Sequence, residues 1–150
     1  MSAKPWSKAQ AKNNKKFQAK LDRITNYLIE GDWHGSYGSR ASIEGDEIIN
    51  DIATKESLPF DTLEFILLPG GLVTAKEGRI DETGNIEIEE FIVGIQPLEG
   101  TFYMIGIDDN DIVFGSINKK SGILSVTELE QGEVGDEAGI CIAQYTNLAM

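Results

Sequence analysis

The chain has 150 residues, 41% of them hydrophobic, which is enough for one domain with a buried core. Its apolar runs are too short for a transmembrane helix, and no apolar signal segment follows the lysine-rich start. The single cysteine, Cys141, excludes an internal disulfide framework, and one cysteine with one histidine argues against a thiolate–imidazole metal site. We therefore expect a cytoplasmic protein that has neither a bound metal nor a cofactor.

The charge is distributed unevenly along the chain. The formal net charge is −12, yet residues 1–23 carry seven of the 13 basic side chains and a single acidic one. Residues 24–150 then carry six basic and 24 acidic side chains, a net charge of −18. Because so acidic a body repels phosphates, we expect no nucleic-acid partner. The acidity fits either a solvated surface or a surface matched to a basic protein partner.

Residues 8–29 show the period of an amphipathic helix. One stripe is apolar and the opposite side is basic, and Gly31 suits a helix end. The stripe consists of Phe17, Leu21, Ile24 and Leu28. We predict that the segment 1–30 forms a helix that packs on the rest of the chain through this stripe. Binding to a membrane surface or to an acidic partner is the alternative.

From Asp32 onward the pattern is that of short strands. Trp33 and Tyr37 share one face of the first strand, and His34 and Arg40 share the other. Seven more strands are predicted at 62–68, 72–80, 85–94, 101–107, 111–118, 123–130 and 138–146. Between the first two strands, the segment 47–56 is predicted to form a short helical turn.

The joints between these strands determine the predicted fold class. They are short and rich in Gly, Pro, Asn and Asp, so they leave no room for crossover helices and the strands must run antiparallel. Eight is the number at which an up-and-down sheet closes on itself. We predict a mainly β protein, an eight-stranded antiparallel up-and-down barrel over residues 31–150 with the helix of 1–30 packed on it. An open sandwich is the main alternative.

The order of helix, Gly31-Asp32-Trp33 and strand meander resembles the calycin pattern of lipocalins and fatty-acid-binding proteins. The resemblance implies that Trp33 closes one end of the barrel and that the interior binds a small molecule. The segment 138–150 departs from the lipocalin pattern, since it lacks the arginine that covers this tryptophan. The run Gly31–Gly35 also resembles the opening of nitrobindin-like haem proteins, but the late histidine that their haem needs is missing.

Candidate catalytic residues are few: Glu90, His34 and Arg40. In the segment 85–94, Glu90 shares a parity with three isoleucines, so either the strand has a bulge or this carboxylate points into an apolar interior, where it could act as an acid or base. The acidic run Asp108–Asp111 lacks the spacing of a calcium loop and is predicted to be a polar hairpin turn.

Three functions remain open at this point. The first is binding of a small apolar or amphipathic molecule by an aromatic wall, for which the candidates are Trp33, Tyr37, Phe65, Phe91, Tyr103, Phe114 and Tyr145. The second is an acidic protein-interaction or inhibitor module without a ligand cavity. The third is a small barrel lyase, isomerase or cyclase.

The hairpin over Thr101–Phe114 is apolar on both of its faces. A barrel wall needs only one apolar face, so something is expected to cover the other. The N-terminal helix is one candidate cover, and a second copy of the chain in a homodimer is the other. We expect the homodimer.

Overall fold

The computed structural model describes residues 8–44, 47–51, 61–80, 83–108, 111–131 and 137–149, with only the backbone described for 36–44, 47–51, 61, 80, 130, 131, 137 and 138. The elements in chain order are α1 (Lys8–Glu30), β1 (Trp33–Glu44), β2 (Glu47–Asp51), β3 (Asp61–Leu67), β4 (Val73–Ile80), β5 (Ile86–Gln96), β6 (Thr101–Gly106), β7 (Ile112–Asn118), β8 (Ile123–Gln131) and β9 (Glu137–Asn147). Among these described residues, no helix is long and apolar enough to span a bilayer.

The strands form a closed antiparallel barrel. Neighbours in the sheet follow the chain from β3 to β9, and β9 pairs with β1 along its length, from Trp33↔Asn147 to Glu44↔Glu137. The start of β1 pairs with β3, which closes the ring of eight strands. The predicted fold class, an eight-stranded up-and-down barrel with one N-terminal helix, is therefore confirmed.

The segment 47–56 differs from its prediction. Residues 47–51 form the strand β2 and not a helical turn, while 52–60 lie outside the described residues. β2 pairs with the second half of β1, from Glu44↔Glu47 to Arg40↔Asp51. This register gives the backbone of Arg40–Glu44 a strand partner that β3, which pairs only with Trp33–Gly35, does not supply.

The C-terminal half of α1 covers one end of the barrel. Ile24, Thr25 and Leu28 are buried, and α1 packs against β3 and β5. Phe17, about two helical turns before Ile24, is 40% exposed. Only the later part of the predicted apolar stripe is therefore buried against the barrel. The helix ends just before β1, which places Leu28 directly over the first strand.

Trp33 is the contact between this helix and the barrel. Its indole is 1% exposed, and Nε1 donates a hydrogen bond of 2.9 Å to the Leu28 carbonyl oxygen. The ring meets Tyr27 edge-on, with 5.6 Å between centroids, and Lys119 Nζ lies 5.6 Å from the Tyr27 centroid. A side chain at Gly31 would collide with the indole, which explains the glycine of the Gly-x-Trp motif. The end of α1 thus covers the indole of Trp33.

The barrel interior changes character along its axis. Near α1 it is apolar, and its largest buried side chains include Trp33, Tyr145, Phe91 and Met104. Further from the helix the inward positions become charged: β4 runs from Val73 and Ala75 to Glu77, and β8 from Leu124 and Val126 to Glu128. Glu77 and Glu128 are both 6% exposed, so the polar end of the interior is buried as well.

Replacement of Trp33 tests whether this residue closes the barrel end. Trp33→Ala should lower the free energy of unfolding by about 3–5 kcal/mol, because it empties a large buried volume. Trp33→Phe should lower it by less, since the ring volume is largely kept and the hydrogen bond to Leu28 is worth only about 1 kcal/mol. Urea denaturation measures both. Red-shifted and readily quenched emission of Trp33 in a Trp6→Phe background would contradict its burial.

Candidate functional site

Four of the predicted wall residues point into the barrel, but they are packed in the core. Trp33, Phe65, Phe91 and Tyr145 are at most 2% exposed. Tyr103 and Phe114 lie outside the barrel, 48% and 52% exposed, which corrects their placement on the inner wall. The side chain of Tyr37 lies outside the described residues.

Tyr103 and Phe114 point outward because their strands follow the parity of other, better-buried residues. Phe102 and Met104 fill the interior from β6, and Val113 does so from β7. Tyr103 pairs with Phe114 across the two strands, and its ring covers Gly94, where any side chain would collide with it. The two rings therefore lie outside because side chains alternate between the two faces of a strand, and Phe102, Met104 and Val113 occupy the inner face.

The candidate catalytic residues do not come together. Glu90 points outward, 4.0 Å from Lys76 Nζ, and β5 pairs with β4 without a register shift, so neither the predicted bulge nor an inward Glu90 is found. His34 also lies on the outside, as its parity predicts, with Nε2 2.9 Å from Asp32 Oδ1. The side chain of Arg40 lies outside the described residues. The unbroken register instead turns Glu89 inward beside Phe91.

A buried hydrogen-bond network occupies the polar end of the interior. Tyr145 Oη donates to Glu77 Oε2 at 2.8 Å, and Arg79 Nη2 donates to Glu77 Oε1 at 3.3 Å. The same guanidinium nitrogen lies 3.8 Å from Glu128 Oε2. Burial of a carboxylate is costly unless a cation and hydrogen bonds replace its water shell, and Arg79 and Tyr145 supply both. The network therefore holds Glu77 and Arg79 in fixed positions.

Two further carboxylates approach Glu128. One carboxylate oxygen from each of Glu89, Asp111 and Glu128 lies within 4.8 Å of the others. Asp111 comes from the acidic run that the sequence predicts to be a hairpin turn. It directly precedes β7, and the barrel brings it close to Glu89 of β5 and Glu128 of β8. Oxygen ligands of this kind suit hard cations, but three are at most half of the six to eight that Ca²⁺ takes. These three carboxylates create a negative potential at this end of the barrel.

A pocket of about 240 Å³ opens beside these groups. It lies where β5 extends beyond β6: the pairing of these strands ends at Phe91↔Gly106, and Ile107 N donates the next backbone hydrogen bond to Glu90 O. The pocket is lined by Glu77, Arg79, Glu87, Ile88, Glu89, Glu90 and Asp108. We call this pocket, with Asp111 and Glu128 behind it, the polar mouth.

Sequence reasoning missed most of the polar mouth. Glu77 and Arg79 continue the inward parity of Val73 and Ala75, and Glu128 continues that of Val126. Charged residues at the end of an otherwise apolar inward series are the signal that could have found them. The contact between Tyr145 and Glu77 joins residues far apart in sequence, so only the closed barrel could show it.

No protein-family model matches the chain, and a search of curated proteins finds no match.

Tyr145→Phe tests the network. It should lower the free energy of unfolding by about 1.5–3 kcal/mol, because it removes a buried hydrogen bond to a charged group. Tyr103→Phe is the matched control, and it should change stability by less than about 0.5 kcal/mol because it keeps the ring and removes a hydroxyl that lies on the outer face, outside the network. A double-mutant cycle with Glu77→Gln should show coupling between positions 77 and 145. Equal effects of the two Tyr→Phe changes would contradict the role of Tyr145.

Proposed function

We propose that this protein is a calycin-like barrel that binds a small amphipathic molecule in its polar mouth. The observation that carries the proposal is the pocket of about 240 Å³ beside a buried network of ionisable side chains. Groups with fixed positions can select a ligand's orientation, as the few polar groups of ligand pockets do. The helix covers the other end of the barrel, so it does not occupy the polar mouth.

The lining determines the chemistry of the ligand. Five carboxylate side chains line the pocket against a single guanidinium, that of Arg79. A cationic or strongly hydrogen-bond-donating head group would therefore be favoured, and an anion would be repelled. The ligand's polar group would contact Glu89 and Glu77, the inward carboxylates of the lining.

The size of the pocket indicates that it takes only part of the ligand. Sites for drug-sized molecules measure about 300–1,000 Å³, so this pocket fits a head group or a small ligand. Ile88 borders the pocket, and Ile86 and Ile88 are 71% and 65% exposed on the outer side of β5. These isoleucines offer a surface for an apolar tail. The ligand's apolar part thus contacts the strand end and not the aromatic core that the sequence predicts as its wall.

The two other predicted functions, an acidic inhibitor module that binds a basic partner and a barrel lyase, isomerase or cyclase, stay predictions. The cytoplasmic location also stays a prediction. The homodimer expected from the hairpin over Thr101–Phe114 also stays a prediction, and it does not concern this mouth.

Two probes with the same tail and opposite heads test the proposal. Octylammonium should raise the melting temperature in a concentration-dependent manner, because a ligand that binds the folded state stabilises it, whereas octanoate should not. Glu89→Gln should weaken octylammonium binding by about 10-fold in calorimetry, which corresponds to loss of a charge-assisted hydrogen bond. Glu64→Gln, on the exposed side of β3, is the matched control and should bind like the wild type.

Equal responses to octylammonium and octanoate would contradict the proposed head-group selection. Unchanged affinity in Glu89→Gln would remove the mouth as the binding site. Native mass spectrometry of the purified protein adds the identity of any ligand that co-purifies.

A further inference from the structure

The outer face of β5–β9 carries a continuous apolar surface. One row crosses all five strands in register as Ile92↔Ile105↔Ile112↔Leu129↔Ile140. A second row beside it runs Tyr103↔Phe114↔Thr127↔Ile142. The apolar members of the two rows are 37–52% exposed. We call these eight residues the outer band: Ile92, Tyr103, Ile105, Ile112, Phe114, Leu129, Ile140 and Ile142.

Much of the surface around the outer band is uncharged. No described outward side chain of β6, β7, β8 or β9 is an acid or a base, although 38 of the 150 residues are charged (25 acidic and 13 basic). Beyond the second row lie polar neutral residues: Gln96, Thr101, Ser116, Ser125 and Gln144. At the β5 end of the first row, Glu90 lies on the outer side of β5 two residues before Ile92, 4.0 Å from Lys76 of β4. An apolar centre with a polar neutral rim is the anatomy of a protein–protein interface.

The chain's own helix does not supply the cover. Its buried residues, Ile24, Thr25 and Leu28, face the end of the barrel around Trp33, and the helix packs on β3 and β5. The outer band stays exposed with the helix in place.

We propose that the outer band is the interface of a homodimer in which a second copy of this chain presents the same face about a two-fold axis. The exposed area of the band is roughly 700 Å² if a fully exposed large side chain is given about 200 Å². That is close to the ~800 Å² that each partner contributes to a standard interface, and it exceeds the ~300–600 Å² of the largest apolar patch on a typical monomer.

The distribution of charge favours a second copy over a different partner. Two copies that each carry a net charge of −12 repel each other wherever their acidic surfaces meet. The outer side of β6–β9, whose described outward side chains are uncharged, is where two such molecules can approach without opposing carboxylates. A basic partner would instead be matched by acidic side chains at the point of contact, and the described outward positions of β6–β9 offer none. In an isologous dimer the rows of one copy pack against those of the other.

Analytical ultracentrifugation of the 150-residue chain tests the proposal. Concentrations of roughly 1–100 µM cover the dissociation constants expected for an interface of this size. The wild type should sediment as a dimer with a dissociation constant in or below this range. Ile105→Lys, at the centre of the first row, should weaken dimerisation by at least about 100-fold, because the ammonium would be buried without a partner. Leu98→Lys is the matched control: Leu98 is 64% exposed in the turn between β5 and β6, and the variant should dimerise like the wild type.

Circular dichroism melting of both variants checks that the fold is kept. If Ile105→Lys melts early, Phe114→Lys replaces it, since Phe114 is more exposed than Ile105. A monomeric wild type across the whole range would overturn the proposal. So would dimers that survive both changes. Flotation of a monomeric wild type with zwitterionic phosphatidylcholine vesicles would assign the outer band to a lipid surface instead, and would likewise overturn the homodimer.

Discussion

The contact between Trp33 and Leu28 is the constraint on which the arrangement of this protein depends. It fixes the end of α1 over the first strand through a buried hydrogen bond and an apolar contact. β1 starts at the same residue and pairs with β9 from there onward, so the closure of the barrel and the docking of the helix share one point. Asn147, opposite Trp33 in this pairing, accepts a hydrogen bond from the Asp32 amide and secures the same junction. α1 and Trp33 thus close this end of the barrel among the described residues.

The polar mouth follows from how the interior is filled. Large apolar side chains fill the barrel interior near the helix. The ionisable groups of β4, β5 and β8 lie together at the end of the interior away from the helix. Arg79 offsets the charge of two of these carboxylates, and Tyr145 reaches from the core to Glu77. The same closed register that turns these groups inward turns Ile86, Ile88 and Ile92 of β5 outward. It also turns the rings of Tyr103 and Phe114 outward. The inner site and the outer band are therefore two results of one pattern of alternation.

The sequence was sufficient for the architecture because periodicity and turn chemistry are local. The helix, the closing Trp33 and the eight barrel strands were all predictable in this way. Which side chains point into the barrel was harder to predict for strands that are apolar on both faces. In β5 the isoleucines competed with Phe91 and Val93 for the interior, and burial of the aromatic ring decided the parity and turned Glu89, not Glu90, inward. The polar mouth needed contacts between distant strands, such as Tyr145 with Glu77, which no local pattern contains.

We propose that this barrel has one apolar end closed by α1 and Trp33 and one polar mouth that binds a cationic head group. Amide chemical-shift mapping of the ¹⁵N-labelled protein during titration with octylammonium chloride tests it most directly, since it locates the bound probe residue by residue. We expect the largest shifts at Glu77–Arg79, Glu87–Glu90 and Asp108, with little change around Tyr27–Trp33. Shifts concentrated at the helix end, or on the outer band alone, would contradict it.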